Sequence, residues 1–322
     1  RARGPLATRE PSAGSTWPDR AAAAREPGPP SIRACVRPHQ RTPASPAHQG
    51  HSGARIHEQT HAPASAALIP QTEFEEYVIK TLSNDISPQG IAIGPAGEIY
   101  VASGKHQILR SDDGQTFTVI AGKTHPPEFC CVDPSYPPAP MFSGDGGLAI
   151  DAYLDRPTGI AIASDGTIYF ADSRNNRLRR ILKSGIIETV AGTGQAGFVG
   201  DDGPALAATL NSPMGLAIDH QDNLYIADWG NHRIRMIQRT GAITTVVGNG
   251  KEGFTGDGGN ATKAKLRNPI GVFVDNFGAI YIADTRNLRL RKVDPSGIIR
   301  TIAGTGKSSR NVERGVALKA QL

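Results

Sequence analysis

A pattern that returns at a fixed interval constrains this chain more than any single motif. From Pro213 to Gly248 the sequence reads Pro-Met-Gly-Leu-Ala-Ile-Asp, then Asn-Leu-Tyr-Ile-Ala-Asp, Asn-His-Arg-Ile-Arg-Met-Ile and Gly-Ala-Ile-Thr-Thr-Val-Val-Gly. The same order of elements runs from Pro157 to Gly192 and from Pro269 to Gly304, 56 residues to either side. A looser copy runs from Pro88 to Gly122. A fixed period of this size indicates a repeat architecture.

Each copy predicts four short antiparallel strands. In the best copy these are Gly215 to Ile218, Leu224 to Ala227, Arg233 to Ile237 and Ala242 to Val247, with Gly and Asn at the turns. Four such strands in each repeat are typical of a β-propeller blade, whereas a β-sandwich carries no strict period. The prediction is therefore an all-β propeller. Tyr77 to Leu82 resembles a fourth strand without its own blade, which we expect to complete the final blade.

Connections of about 20 residues, such as Thr193 to Ser212, join one copy to the next. Each contains an Asp-Gly or Asp-Asp-Gly step and then an apolar stretch, which predicts a helix cap and one or two helical turns. Strand direction places these connections and the loops between second and third strands on one face. That face carries nearly all the loop elaboration, and loops on a rigid scaffold are the usual seat of function.

Composition separates a tail from the repeats. Residues 1–72 are rich in Pro, Ala, Arg, Ser and His without apolar periodicity, which predicts disorder. Residues 1–70 hold nine Arg, no Lys and four acidic residues, so they supply the whole net charge of +5. This tail has the composition of a transit peptide, of a linker or of translated upstream sequence. The predicted domains are the tail, 1–72, and the propeller, 73–322.

The three cysteines, Cys35, Cys130 and Cys131, give neither a disulfide framework nor a zinc spacing. The last two lie in the one large insertion, around Lys123 to Pro140. No apolar run is long enough to span a membrane. The sequence leaves the compartment open.

An Asp, an Asn and an Arg recur at identical spacing after each second strand. One hypothesis is a ring of ligand-binding charges. The other, which one copy per blade favours, is structural: the Asp orders the loop backbone and pairs with the Arg that enters the third strand. The third-strand cations alternate with Leu or Ile, which predicts a solvated blade face. The motif residues are Asp172, Asn175 and Arg177, then Asp228, Asn231 and Arg233, then Asp284, Asn287 and Arg289.

Two glycine-rich stretches match a dinucleotide pattern, but no long helix and no suitably placed acidic residue follow them. The Asp-Gly steps at Asp145, Asp201 and Asp257 offer one or two carboxylates each, fewer than a calcium site requires. We therefore predict no catalytic residue, no cofactor and no metal.

These elements resemble the NHL repeat family, and within it the NHL propellers of teneurins and of uncharacterised NHL repeat-containing proteins. The resemblance covers about residues 75–322, through Gly-Asp-Gly-Gly, Ala-x-x-Ala-x-Leu, Tyr-Ile-Ala-Asp-x-x-Asn-x-Arg-Ile-Arg and Ile-x-Thr-Val-Ala-Gly. Family propellers commonly have six blades, so the resemblance implies a six-bladed ring of which four are visible. Ala317 to Leu322 align with Ala261 to Leu266, so the chain looks truncated.

The function predicted is a non-catalytic scaffold that binds a protein partner through the loop-elaborated face, with Arg174, Trp229 and Arg286 as candidate contacts. The first alternative is a propeller enzyme similar to gluconolactonases, strictosidine synthase-like proteins or the amidating lyase, with a metal in the central channel. Such a site needs side chains like Asp219 and Asp275, but blade two has Ala163 there. The second alternative, RNA binding, is disfavoured because residues 71–322 hold 26 basic and 26 acidic residues.

Overall fold

The computed structural model describes residues 86–124, 141–308 and 316–322. In these ranges the strands form four antiparallel sheets, each built from one stretch of the sequence. The tail, the strand predicted at 77–82 and residues 125–140 of the insertion lie outside the described residues. The unit that holds the sheets extends over Phe74–Leu322.

Each sheet is one blade, and its strands follow one another from the inner to the outer edge. Blade 1 comprises β1 (Pro88–Ile93), β2 (Ile99–Ser103), β3 (Gln107–Ser111) and β4 (Thr118–Ala121), and blade 2 comprises β5 (Pro157–Ile162), β6 (Ile168–Asp172), β7 (Arg177–Ile181) and β8 (Ile187–Ala191). After the two-residue β9 (Gly203–Pro204), blade 3 comprises β10 (Pro213–Ile218), β11 (Leu224–Asp228), β12 (Arg233–Ile237) and β13 (Ala242–Val247). Blade 4 comprises β14 (Gly271–Val274), β15 (Ile280–Asp284), β16 (Arg289–Val293) and β17 (Ile299–Ala303).

The helical elements of the described residues are single 3₁₀ turns of three residues, in the inter-blade connections and after the second strands. They are Ala149–Asp151, Ser173–Asn175, Ala205–Ala207, Trp229–Asn231, Ala261–Lys263, Thr285–Asn287 and Ala317–Lys319. None is long and apolar enough to cross a bilayer, within the part of the chain that the structure describes. The predicted all-β fold with short helical turns is confirmed.

The first strands of the blades lie side by side, as in a propeller: β5 lies between β1 and β10, and β10 lies between β5 and β14. Their backbones approach closely, because a Cβ on Gly215 would overlap the carbonyl oxygen of Ile270. A Cβ on Gly159 would overlap the carbonyl oxygen of Met214 in the same way. Close approach of two backbones therefore explains the glycine in the Pro-x-Gly steps of blades 1 to 3.

Apolar side chains fill the spaces between neighbouring blades. The cluster between blades 2 and 3 includes Leu178, Ile226 and Ile243, all fully buried. Ala208 and Leu210 of the connection complete this cluster, also at full burial. Equivalent clusters lie between blades 1 and 2 and between blades 3 and 4. The residues of the Ala-x-x-Ala-x-Leu pattern thus pack between neighbouring blades. Burial of this apolar surface stabilises the contact between adjacent repeats.

The connections do not stay on one face. Pro204 pairs with Ala242, the first residue of β13, so the middle of the connection reaches the far end of the outer strand before it returns. The predicted Asp-Gly cap is wrong. The residue before the 3₁₀ turn is Leu148, Pro204, Asn260 or Val316, and only Asn260 accepts a side-chain cap bond. The Asp of the connection instead pairs with a buried arginine of the third strand, as Asp201 does with Arg235 at 2.8 Å.

Candidate interaction face

Asp228 fixes both the turn that follows β11 and the start of β10. Its Oδ1 accepts a hydrogen bond from the backbone N–H of Asn211 at 2.8 Å, and its Oδ2 accepts one from Asn231 Nδ2 at 2.7 Å. Asn231 Nδ2 also donates to the carbonyl oxygen of Gly197 at 2.7 Å. Asp172 and Asn175 in blade 2, and Asp284 and Asn287 in blade 4, make the same bonds. These contacts support the structural interpretation of the motif.

The arginine that pairs with the motif aspartate is not the one expected from the sequence. Arg235, not Arg233, lies with Nη1 3.7 Å from Asp228 Oδ2. Arg235 also donates to Asp201 Oδ1 at 2.8 Å and to the carbonyl oxygen of Thr209 at 2.8 Å. Its side chain is fully buried, so the prediction of a solvated third-strand face is wrong here. Arg179 and Arg291 occupy the same position, with Asp145 and Asp257 as partners.

A phenylalanine from the connection stacks against two arginines of the third strand. The ring centroid of Phe198 lies 3.7 Å from the Arg233 guanidinium and 4.9 Å from that of Arg235. Phe142 and Phe254 repeat this stack in blades 2 and 4. Sequence reasoning missed these rings, although they recur at the 56-residue period. Guanidinium-over-ring contacts of this kind stabilise partly desolvated cations. The connection therefore stabilises the arginines of the third strand against which it packs.

Burial dominates the electrostatics of the motif carboxylates. It raises the pKa of Asp228 to about 6, against the opposing hydrogen bond from Asn231 and the nearby charge of Arg235. Burial likewise raises the pKa of Asp172 to about 6 and raises the pKa of Asp284. A carboxylate removed from water is costly unless it is paired, which explains why each one has a buried arginine beside it.

Trp229 begins the 3₁₀ turn directly after Asp228 and is half-buried. Its carbonyl oxygen accepts a hydrogen bond from Asn268 Nδ2 at 3.1 Å. The Arg286 guanidinium of blade 4 lies 5.9 Å from the centroid of the Trp229 ring. The structure therefore brings together two of the three residues predicted as contacts.

Arg174 occupies the equivalent turn of blade 2. Its backbone N–H donates to the carbonyl oxygen of Asp155 at 3.2 Å, and its guanidinium lies 3.9 Å from Asp155 Oδ1. The side chain is 56% exposed. Arg174 thus lies at the same end of the propeller as Trp229, one blade away, and contacts Asp155.

In blades 1 to 3, the residue that follows the turn after the second strand makes a side-chain hydrogen bond to the segment that enters the next blade. His232 Nδ1 accepts a hydrogen bond from the backbone N–H of Asn268 at 3.1 Å. Asn176 Oδ1 accepts one from Ser212, and His106 Nδ1 accepts one from Arg156. An accepting Nδ1 requires the neutral ring at His232, and burial lowers the pKa of this histidine. Sequence reasoning missed this contact because the residue type varies between copies.

The aspartates considered for a propeller enzyme hold turns at the opposite end. Asp219 Oδ1 accepts hydrogen bonds from the backbone N–H groups of Gln221 and Asn223, each at 2.9 Å. A hydrogen bond from the Ala279 backbone N–H holds the pKa of Asp275 below its usual range. Across the described ranges, no three His, Cys, Asp or Glu side chains gather into a group that could hold a metal ion.

The Teneurin NHL domain model matches residues 130–198, 194–255 and 250–319, together more than half of the chain. Protein SUPPRESSOR OF QUENCHING 1, chloroplastic, of Arabidopsis thaliana is 35% identical over 155 residues, 47% of this chain and 14% of that protein. Teneurin-4 of Mus musculus is 31% identical over 173 residues, 49% of this chain and 6% of that protein. The chain thus spans a small part of these curated relatives.

Among solved structures, the streptogramin B lyase structure superposes with a TM-score of 0.43 and 13% identity over 67% of this chain and 54% of that one. At this level the similarity does not extend to function. The four-stranded blades and the recurring turn motif define an NHL-type β-propeller. The matched residues identify it further, and the chain belongs to the Teneurin NHL domain family.

Proposed function

We propose that this propeller is a non-catalytic scaffold that binds a protein partner through the face that carries Trp229. The supporting observation is that blade 3 has a tryptophan where the equivalent turns of blades 2 and 4 have a small hydroxyl residue. Ser173 and Thr285 stand at the position of Trp229, and their hydroxyl groups bond within the fold, to the carbonyl oxygens of Pro213 and Ala283. The turn therefore forms with a small residue, so its geometry does not require the indole ring.

Two exposed arginines at the same end of the propeller support the same face. Arg174 and Arg286 follow the first residue of their turns, where blade 3 has Gly230. Trp and Arg are enriched at the centres of protein interfaces, where a few such side chains carry much of the binding free energy. The partner is proposed to be a protein, because residues 71–322 hold equal numbers of basic and acidic residues and so lack the net positive charge common in nucleic-acid binding.

The test is quantitative capture of partners by proximity labelling with the full chain. The variant Trp229→Ala/Arg174→Ala/Arg286→Ala is compared with Phe277→Ala, whose ring is 85% exposed in a loop at the opposite end. Truncation of a central aromatic costs about 2 kcal/mol or more, so partners should be lost roughly thirtyfold with the triple variant and kept with the control. Equal capture by both variants would exclude this face.

The enzyme alternative predicts a different result. A propeller enzyme should hydrolyse lactones in a manner that depends on added calcium or zinc, whereas the scaffold should show no turnover under either condition. Metal-dependent hydrolysis that survives the triple variant would place the function elsewhere in the molecule.

A further inference from the structure

Charge is distributed unequally between the two ends of the propeller. The loops at the far ends of the first and third strands define the opposite face, residues 94–98, 112–117, 163–167, 182–186, 219–223, 238–241, 275–279 and 294–298. Their cations are Lys183 and Arg239. Their anions are Glu98, Asp112, Asp113, Asp165, Asp219, Asp222, Asp275 and Asp294.

Most of these aspartates belong to the turns themselves. Asp165 Oδ1 accepts a hydrogen bond from the Thr167 backbone N–H at 2.8 Å, and Asp294 Oδ1 accepts one from Ser296 at 3.0 Å. Short polar side chains commonly fix a turn in this way. The negative charge of the opposite face therefore follows from how its hairpins are built.

The loop face has the reverse balance. We define it as residues 104–106, 122–124, 155–156, 173–176, 193–197, 211–212, 229–232, 249–253, 267–268, 285–288 and 304–308. Its anions are Asp155 and Glu252. Its cations are Lys105, Lys123, Arg156, Arg174, Lys251, Arg267, Arg286 and Lys307.

Both anions of the loop face are already paired. Asp155 is 8% exposed and contacts His106 Nδ1 at 3.4 Å and the Arg174 guanidinium at 3.9 Å. Glu252 lies 2.6 Å from Arg267. The positive charge that remains exposed is therefore not neutralised within the described part of the face.

The cations cluster around the tryptophan. The backbone N–H of Arg286 donates to the carbonyl oxygen of Arg267 at 3.1 Å, which places two cationic residues together on blade 4. Arg286 in turn covers the ring of Trp229. Arg174 lies on the blade 2 side, next to the segment of Asp155 and Arg156. A partner that crosses blades 2 to 4 would thus meet cations on both sides of an indole ring.

We propose that the partner of the loop face is an acidic protein segment, one rich in Asp and Glu that lies across blades 2 to 4 over Trp229. This inference rests on the proposed scaffold function and specifies its partner class. Complementary charge steers association and suppresses wrong partners, because like charges brought together are costly. The acidic opposite face would repel the same segment.

A protein segment fits this face better than RNA does. Binding to single-stranded nucleic acid uses a row of aromatic platforms for successive bases. The described loop face offers one indole ring, and the adjoining rings of Phe198 and Phe254 are stacked on Arg233 and Arg289.

Fluorescence anisotropy of labelled probes with the full chain tests the inference. The probes are an oligoglutamate and an oligolysine of about ten residues and an oligouridylate RNA of about ten nucleotides. The key variant is Arg174→Glu/Arg286→Glu. Lys183→Glu/Arg239→Glu is the matched control, since it changes the net charge equally on the opposite face. The Arg-rich residues 1–72 also attract oligoglutamate, so the difference between the two double variants is the readout.

Oligoglutamate should bind, and its affinity should fall about tenfold between about 0.05 M and about 0.3 M salt. The loop-face variant should weaken it about tenfold further, and the control about twofold or less. Absent binding, equal weakening by both variants, preference for oligolysine or tighter RNA binding would each overturn the inference. Thermal unfolding of both variants shows that they fold. If proximity capture still depends on Trp229 while oligoglutamate does not bind, the partner class fails and the scaffold function stands.

Discussion

Replacing Arg235 by methionine should be among the most damaging single changes in blade 3. The guanidinium is fully buried and reaches Asp201, the carbonyl oxygen of Thr209 and, at 3.7 Å, Asp228. Methionine fills much of the volume but leaves Asp228 buried without its cation. Removal of one partner from a buried pair costs about 3–5 kcal/mol, and we expect a loss of that size in the free energy of unfolding.

The loss in the free energy of unfolding caused by Arg235→Met should depend on pH. Burial raises the pKa of Asp228 to about 6 in the native chain, where the charge of Arg235 opposes this rise. Without Arg235 the pKa rises further, so the carboxyl group is neutral at about pH 5 and no uncompensated charge is buried there. The difference between the variant and the parent should therefore be smaller at about pH 5 than at about pH 8.

Urea unfolding followed by the fluorescence of Trp229, which lies in the same blade, measures this difference in a Trp17→Phe background that removes the other tryptophan of the chain. Arg300→Met is the control, because Arg300 pairs with Asp294 at 3.1 Å on the surface with its side chain 62% exposed. Exposed ion pairs contribute little, so its unfolding midpoint should stay close to that of the parent. An Arg235→Met variant as stable as Arg300→Met at about pH 8, or a loss that does not change with pH, would refute the buried-pair reasoning.

Two further predictions concern contacts between blades. Gly215→Ala should lower the free energy of unfolding by about 1–3 kcal/mol, because the new methyl group meets the β14 backbone. Gly271→Ala, at the same position of blade 4, should be tolerated. Equal midpoints of urea unfolding for the two variants would contradict this. Burial holds the pKa of His232 below the unfolded value of about 6.5, so acid should destabilise the parent as pH falls through that value. His232→Asn should remove this dependence, because Asn176 accepts the equivalent hydrogen bond without a titrating group, and an unchanged pH profile would count against the proposed link to Asn268.

The repeat period was enough to predict the fold. It gave the four strands of blade 3 to within a few residues, since tight turns and alternating apolar positions mark both ends of each strand. The 3₁₀ turn at Ala317–Lys319 repeats the turn at Ala261–Lys263, in line with the alignment of these two segments. These features are local in the sequence.

Contacts that form because the inter-blade connection folds back over the third strand were not predicted. Arg235 alternates with apolar residues and therefore looks like a solvent-facing cation, but Phe198 and Asp201 of the connection fold back over it. The inter-blade hydrogen bond of His232 joins residues 36 positions apart. Strand periodicity carries no information about either contact. The opposite charges of the two faces appear only when the loops are sorted by end, because the repeats as a whole are balanced.

Hydroxyl-radical footprinting of the full chain, alone and with a partner recovered by proximity labelling, tests the interaction face most directly. Trp229 is half-exposed on the loop face, and Phe277, 85% exposed, reports on the opposite face. The proposed function predicts that oxidation of Trp229 falls on complex formation while oxidation of Phe277 is unchanged. Protection of Phe277 with Trp229 still oxidised as in the free chain would contradict it.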